Sequence, residues 1–296
     1  MRNHVILVLF FIVIANALAE QIEVPWTRQT LISDLKLDVE AVRSFARTRI
    51  DSGMDVIVMK NVILECSNLN TYLSEELGKS TDGLSVDFLL IIHPDARRGL
   101  NPQITDLPSK SFKLYSEHIL SKKYEIVVFE GSVFDGFDAE TQLLEVNARI
   151  AYFPTSPLYK MMVQNGITPG SSQAIPIVRK GIASTKTDST ERLFELQVLA
   201  EKNGAKFLSG ELLAIHMLEG RLLGILSGQR TLEYEPIRAK VSRLRSAYAV
   251  AKVLHDLRER HQSRGAIVYG FLHSNEFKEF ADRIGFNNTL IDLTGR

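Results

Sequence analysis

Residues 265–274 read GAIVYGFLHS, a mostly apolar run that contains Gly270 and stops at His273. We predict a buried strand over 266–272, because strands covered on both faces are nearly continuous in apolar residues. Two other apolar runs share this design: 86–92 before His93, and 124–129 before Glu130. Three predicted strands therefore each deliver one ionisable residue at the C-terminal end.

The rest of the chain alternates between predicted strands and helices. Further strands are predicted at 55–59, 175–178, 206–209 and 289–293. Helices are predicted at 37–51, 67–78, 111–122, 138–151, 189–203, 236–262 and 274–284. This alternation predicts an α/β fold, with a mostly parallel or mixed central sheet and helices on both faces. The Pro/Gly-rich segment 152–188 is predicted to be either a lid over a cleft or a small subdomain.

The three strand ends predict a shared site. In parallel α/β sheets the ligand crevice lies outside the C-terminal ends of the strands. If the three strands are neighbours, His93, Glu130 and His273 converge there. Two histidines and a carboxylate are a common ligand set for a divalent metal, and they can equally serve as acid, base and electrostatic stabiliser without one. A glycine inside a strand often marks a close approach, so Gly270 is a binding candidate that admits another group beside the imidazole.

The composition bears on nucleic-acid binding, on disulfide formation and on the class of enzyme. The chain has 296 residues, 45% hydrophobic and 24% charged, with 35 basic and 35 acidic residues. Balanced charge gives no indication of a nucleic-acid partner. Cys66 is the single cysteine, so no intrachain disulfide can form. Motifs of serine hydrolases, P-loop enzymes and zincins are absent.

The N-terminus predicts export. Arg2 precedes the apolar stretch 5–16, and Ala17-Leu18-Ala19 is a small-x-small cleavage site. A membrane anchor is the alternative, but crossing a bilayer takes about 20 apolar residues and this run is shorter. We therefore predict a signal peptide over 1–19, a single α/β domain over 20–296 with no stable membrane span, and a secreted, periplasmic location in a bacterium.

Several of these residues resemble one family. The element Gly270-x-x-His273 resembles the C-terminal G-x-x-H motif of the TraB/TIKI superfamily, which includes ChaN-like and erythromycin-esterase-like proteins. Val127-Val128-Phe129-Glu130 resembles the family's strand that ends in glutamate. Arg245, in the helix before the last G-x-x-H strand, is similar to the arginine that opens the family's helix, and Arg243 is the alternative for this position. The early strand keeps His93 but has Leu90 where the family's first G-x-x-H motif has glycine.

The resemblance implies a hydrolase-like activity on a small-molecule or peptide substrate. It implies His93, Glu130, Arg245 and His273 as the active constellation, in which Arg245 neutralises an oxyanion or holds a substrate carboxylate. Glu145, in the helix after Glu130, is a further binding candidate. The alternative is an exported, non-catalytic protein of the same fold that binds haem or another small ligand. A solute receptor is a third reading, but no division into two similar halves is visible.

Overall fold

The structure is a computed structural model and describes residues 27–51, 56–92, 107–131, 134–135, 139–154, 156–184, 198–228 and 234–295. Its helices are α1 (Arg28–Asp51), α2 (Val56–Gly78), α3 (Leu107–Ser121), α4 (Ala139–Ile150), α5 (Pro157–Gln164), α6 (Ile175–Ser184), α7 (Leu213–Gly228), α8 (Glu235–Glu259) and α9 (Ser274–Ile284). Its strands are β1 (Ser85–Ile91), β2 (Ile126–Phe129), β3 (Lys206–Ser209), β4 (Arg264–Gly270) and β5 (Asn287–Asp292). Residues 198–202 are also helical.

The five strands form one parallel sheet in the order β3-β2-β4-β1-β5. Strand β4 lies between β1 and β2, so the three strands predicted to carry the site are neighbours. Ile91 is in register with Gly270, and Phe129 is in register with Val268. Because the strands are parallel, their C-terminal ends meet at one edge of the sheet.

Helices cover both faces of the sheet, as predicted. Alternate strand residues face opposite ways, so Phe88 and Leu90 join one core while Leu89 and Ile91 join another. The larger core is formed with α1, α2, α7, α8 and α9. The smaller core is formed with α3 and the helical residues 198–202. Both faces are therefore shielded from water, which explains why the strands are apolar almost throughout.

Two predicted strands are wrong. Most of 55–59 is the start of α2, because its apolar residues continue at helical spacing after Val58. The buried residues of that helix are Val58, Met59, Val62, Cys66, Leu69, Leu73, Glu76 and Leu77. The segment 175–178 begins α6, where Pro176 occupies the first turn, a position that needs no backbone N–H donor. A short run of β-branched residues occurs in buried helices as well as in strands, so it does not distinguish the two.

Strand β4 ends two residues earlier than predicted. Its last residue is Gly270, and Phe271–His273 forms a 3-10 turn that leads into α9. His273 thus lies at the start of a helix rather than on the strand itself. Strand β3 has the predicted bounds, and the remaining strand bounds differ from the predictions by one or two residues.

Within the segment 152–188, the described residues contain α5 and α6. With α4 these helices surround a separate apolar cluster that includes Leu143, Met162 and Val178. Its role as a lid or a subdomain stays a prediction. Residues 1–26, which hold the predicted signal peptide, lie outside the described residues. In the described ranges, no helix combines the length and apolar content needed to cross a membrane.

Candidate active site

The C-terminal edge of the sheet brings together Glu130, Arg245, Gly270 and His273. Glu130 follows β2 directly, and its backbone N–H donates to the carbonyl of Val268 at 2.9 Å. The Nε2 atom of His273 lies 3.6 Å from Oε1 of Glu130. His93 lies outside the described residues, so its position relative to this pair stays a prediction.

Gly270 allows the carboxylate of Glu130 to approach β4 closely. The backbone N–H of Gly270 donates to Oε2 of Glu130 at 2.5 Å. A Cβ atom added at Gly270 would lie 3.1 Å from the same oxygen, which is tighter than ordinary contact. The backbone of Gly270 has φ −60° and ψ 141°, which any residue adopts. The glycine is therefore needed here for space, not for backbone conformation.

Arg245, on α8, is engaged by three carboxylates. Its Nε donates to Oε2 of Glu211 at 2.8 Å, and its Nη2 donates to Oε1 of Glu130 at 3.1 Å. The guanidinium also contacts Oε1 of Glu211 and Oε2 of Glu219. Burial alone would raise the pKa of Glu211, but the charge and hydrogen bonds of Arg245 outweigh it and lower the pKa to about 2. The Arg245–Glu211 pair is therefore ionised at neutral pH.

Glu211 also connects the ends of three strands by hydrogen bonds. Its side chain is fully buried, and its Oε1 accepts the hydroxyl hydrogen of Tyr269 at 3.1 Å. The same oxygen accepts the backbone N–H of Gly131 at 3.3 Å, just after Glu130. The Tyr269 hydroxyl lies 2.8 Å from the carbonyl of Gly210 as well. Glu211 thus links the end of β3 to the ends of β2 and β4.

His273 is oriented by groups on both sides of its ring. Its Nδ1 lies 2.9 Å from Oε2 of Glu276 and 2.7 Å from the hydroxyl of Ser246. The Ser246 hydroxyl in turn donates to Glu276. Tyr269 packs edge-on against the imidazole, with ring centroids 5.0 Å apart. With Nδ1 held by Glu276 and Ser246, Nε2 faces Glu130.

His273 is an imidazolium at neutral pH. Its side chain is 8% exposed, and burial alone would lower its pKa. The hydrogen bonds and negative charges of Glu130 and Glu276 have the larger effect and raise the pKa to about 9. Both ring nitrogens then carry hydrogens, so the ring is a donor toward Glu130 and toward the Glu276 side.

Glu145 is connected to the site through Arg149. On α4, it forms an ion pair with Arg149 at 2.8 Å. The Nη2 atom of Arg149 also donates to the carbonyl of Gly131, next to Glu130. Through Arg149, Glu145 links α4 to the loop after β2. Its predicted binding role stays a prediction.

Sequence reasoning missed Glu211, Glu219, Ser246 and Glu276. Two of them carry a local signal: Glu211 follows the end of β3, and Glu276 lies three residues after His273 at the start of a helix. Glu219 is a lone acidic residue in the apolar helix α7. Ser246 has no distinguishing local signal, because serine is common on helices and its role depends on the packing of α8 against α9.

The donor types at this edge fit a divalent metal, but the arrangement among described residues does not form a complete site. In the part of the chain that the structure describes, no group of three or more His, Cys, Asp or Glu could hold a metal ion. The predicted metal ligands His93, Glu130 and His273 include one residue outside that part. His273 would also have to lose a proton before it could bind a metal.

No family model, no curated protein and no solved structure matches this chain. The resemblance to the TraB/TIKI superfamily therefore stays a hypothesis. It is based on the residue types at His93, Glu130, Arg245, Gly270 and His273. Any account of function depends on the chemistry of the site itself.

Proposed function

We propose that this chain is an exported hydrolase-like enzyme of the TraB/TIKI and ChaN-like type, acting on a small-molecule or peptide substrate. The observation that carries the proposal is the pairing of Glu130 with His273 across 3.6 Å at the C-terminal edge of a parallel sheet. An anionic carboxylate beside a cationic imidazole supplies both a proton acceptor and a proton donor. Such edges are where parallel sheets bind ligands.

Glu130 and His273 divide the chemistry between them. The side chain of Glu130 is 14% exposed, and in this proposal a water molecule reaches its carboxylate from the exposed side. In the proposed reaction, Glu130 orients this water and takes one proton as the oxygen attacks the scissile carbonyl. His273, protonated at neutral pH, gives a proton to the leaving group. Proton transfer from Glu130 to His273 then restores both groups.

Arg245 acts as a positioning residue in this proposal. Its guanidinium is bonded to Glu211, Glu219 and Glu130, which supports a role in fixing Glu130 rather than in contacting a substrate oxyanion. A fixed carboxylate needs little reorganisation during the reaction. Arg245→Lys keeps the charge but loses the planar fork, so activity should fall through misplacement of Glu130.

The test is Glu130→Gln in the full chain, assayed on p-nitrophenyl acetate and fluorescently labelled casein. Gln is nearly isosteric but cannot accept a proton, so turnover should fall by about 10²–10⁴-fold. Glu140→Gln is the matched control, because Glu140 is an exposed helix residue that pairs with Arg179. Full activity of the Glu130 variant on a substrate that the wild type cleaves would show that the carboxylate is structural.

A metal-dependent form of the same proposal uses His93, Glu130 and His273 as ligands of a divalent ion. Two imidazoles and a carboxylate leave a coordination position for water in such sites. Elemental analysis of purified protein, before and after dialysis against a chelator, distinguishes the two forms. Stoichiometric metal that is lost together with activity supports the metal form, and activity that survives chelation supports the metal-free one.

The second candidate is an exported, non-catalytic protein that binds haem or another small ligand. Two observations favour it: Leu90 replaces the glycine of the family's first motif, and Arg245 is occupied by protein carboxylates. Titration with haem, followed by its Soret absorption, tests this candidate. Saturable binding of one haem, together with no cleavage of either substrate, would favour the second candidate over the first.

Export belongs to the proposal because the first 19 residues read as a signal peptide. We expect the mature protein to begin at Glu20 and to be recovered from the periplasm of a bacterial host. Mass spectrometry of the recovered protein measures this directly. A mature mass that includes Met1 would contradict it.

A further inference from the structure

A cavity of about 330 Å³ lies between α2 and α8, on the side of the candidate active site where Glu211 is buried. Its lining is Glu65, Asn68, Leu69, Tyr72, Leu212, Tyr248, Lys252 and His255. Glu130, Arg245, Gly270 and His273 are not among these residues. The cavity is therefore a separate feature from the proposed catalytic pair.

The cavity has aromatic walls. The rings of Tyr72 and Tyr248 have centroids 5.6 Å apart and are tilted by 45°, and the His255 ring lies 6.2 Å from Tyr72. Leu69 and Leu212 add aliphatic surface. A cavity of about 150 Å³ with apolar walls binds benzene, so this volume accommodates a substituted ring. Flat aromatic groups gain most from such walls, by offset or edge contacts.

The walls also carry two tyrosine hydroxyls, those of Tyr72 and Tyr248. Both residues are half-buried, and among the described residues neither hydroxyl is a buried polar atom without a partner, so each is open to water. Burial raises the pKa of both tyrosines, so both hydroxyls keep their hydrogens at neutral pH. A ligand with a hydrogen-bonding group can pair with these hydroxyls in place of water.

The charges around the cavity are already balanced. Lys252 lies 3.1 Å from Asp135 and 3.4 Å from Asp256. Both oxygens of Glu65 accept backbone N–H groups at the start of α7, at 2.9 and 3.0 Å. Burial raises the pKa of Glu65 to about 6, so the carboxylate is still mostly ionised at neutral pH. The third ionisable residue of the lining, His255, has its Nδ1 atom 3.2 Å from Oε1 of Glu76. Each of the three therefore already has a protein partner.

We propose that this cavity is a binding site for a neutral aromatic molecule that carries a hydrogen-bonding group, such as an aryl amide. The ring lies against Tyr72, Tyr248 and the leucine side chains. The polar group pairs with the two tyrosine hydroxyls. This site does not depend on the catalytic proposal for Glu130 and His273.

The test is calorimetric titration of the full chain with three probes of one shape: benzamide, benzoate and benzylamine. We expect saturable binding of one benzamide, with a Kd on the order of 1 mM for so small a ligand. Benzoate and benzylamine should each bind at least about tenfold more weakly, because desolvating a charge without a free partner is costly. Tighter binding of either charged probe, or no saturable benzamide binding, would overturn the proposal.

Two variants locate the binding in the cavity. Tyr72→Phe with Tyr248→Phe keeps both rings and removes the hydroxyls, so benzamide should bind about threefold to tenfold more weakly. Asn68→Trp changes an exposed lining residue and should block the opening without disturbing the core. Ser74→Trp, at an exposed position of α2 outside the lining, is its control. Equal benzamide affinity in the two tryptophan variants would exclude this cavity as the site.

Discussion

The imidazolium of His273 should make the stability of the protein fall as pH rises above neutrality. Its pKa rises from 6.5 to about 9 on folding, because Glu130 and Glu276 outweigh the effect of burial. A group whose pKa is higher in the folded state stabilises that state fully below its unfolded pKa. This stabilisation is lost as pH rises through the folded pKa. At about 1.4 kcal/mol per pKa unit, the loss between pH 6.5 and 9 is about 3 kcal/mol.

Replacement of His273 by Gln should remove this pH dependence. The wild-type free energy of unfolding should fall by about 3 kcal/mol from pH 6.5 to pH 9.5, while the variant is less stable at pH 6.5 and changes far less. The other groups that face the ring stay in one state over this window, because the pKa values of Tyr269 and Arg245 are both raised above their usual ranges. Urea denaturation followed by circular dichroism at each pH measures the difference.

His118→Gln is the contrasting control. Burial lowers the pKa of His118, so its contribution to stability increases with pH instead of falling. This variant should keep the wild-type decrease between pH 7.5 and 9.5. If His273→Gln and the wild type lose stability in parallel over that range, the imidazole is not held in its charged form and the assignment of His273 as proton donor is wrong.

Three further changes test the packing of the site and the sheet. Glu211→Gln removes a fully buried charge that partners Arg245 and should destabilise the protein by about 3 kcal/mol in urea denaturation at pH 7; a loss below about 1 kcal/mol would contradict it. Gly270→Ala places a methyl group 3.1 Å from Glu130 and should cost about 1–3 kcal/mol, part of which the shorter carboxylate of Glu130→Asp should restore in the double variant. Gly265→Ala puts a methyl group 2.6 Å from an α8 side-chain atom, so the melting temperature should fall by several degrees, and an unchanged value would show that α8 can move aside.

The central sheet could be predicted because its strands are continuous apolar runs bounded by turns. Residues 86–92 and 206–209 fall at β1 and β3 to within a residue. The prediction at 55–59 is wrong because the four apolar residues 56–59 do not reveal the helical period, which becomes clear only over the whole of α2. Likewise, the 3-10 turn after Gly270 depends on how α9 packs, which no local pattern contains.

The site was predictable to the extent that it is built from strand ends. Glu130 and His273 were identified because parallel strands present their C-terminal residues at one edge. The partners of Arg245 could not be identified in the same way, since Glu211 and Glu219 reach it only through the strand order and the packing of α7 against α8. Strand order is a property of the whole chain, so contacts that depend on it are not visible in local spacing.

During synthesis of the chain, β1 is made long before the strands that pair with it. Among the described strands its partners are β4 and β5, and both follow α8. A ribosome that adds about 5–20 residues per second completes β4 roughly 9–36 s after β1. For that interval an apolar strand of seven residues has both edges unpaired and could pair with another chain. A factor that shields residues 85–91 of the nascent chain should therefore raise the yield of folded protein more than one that shields β4.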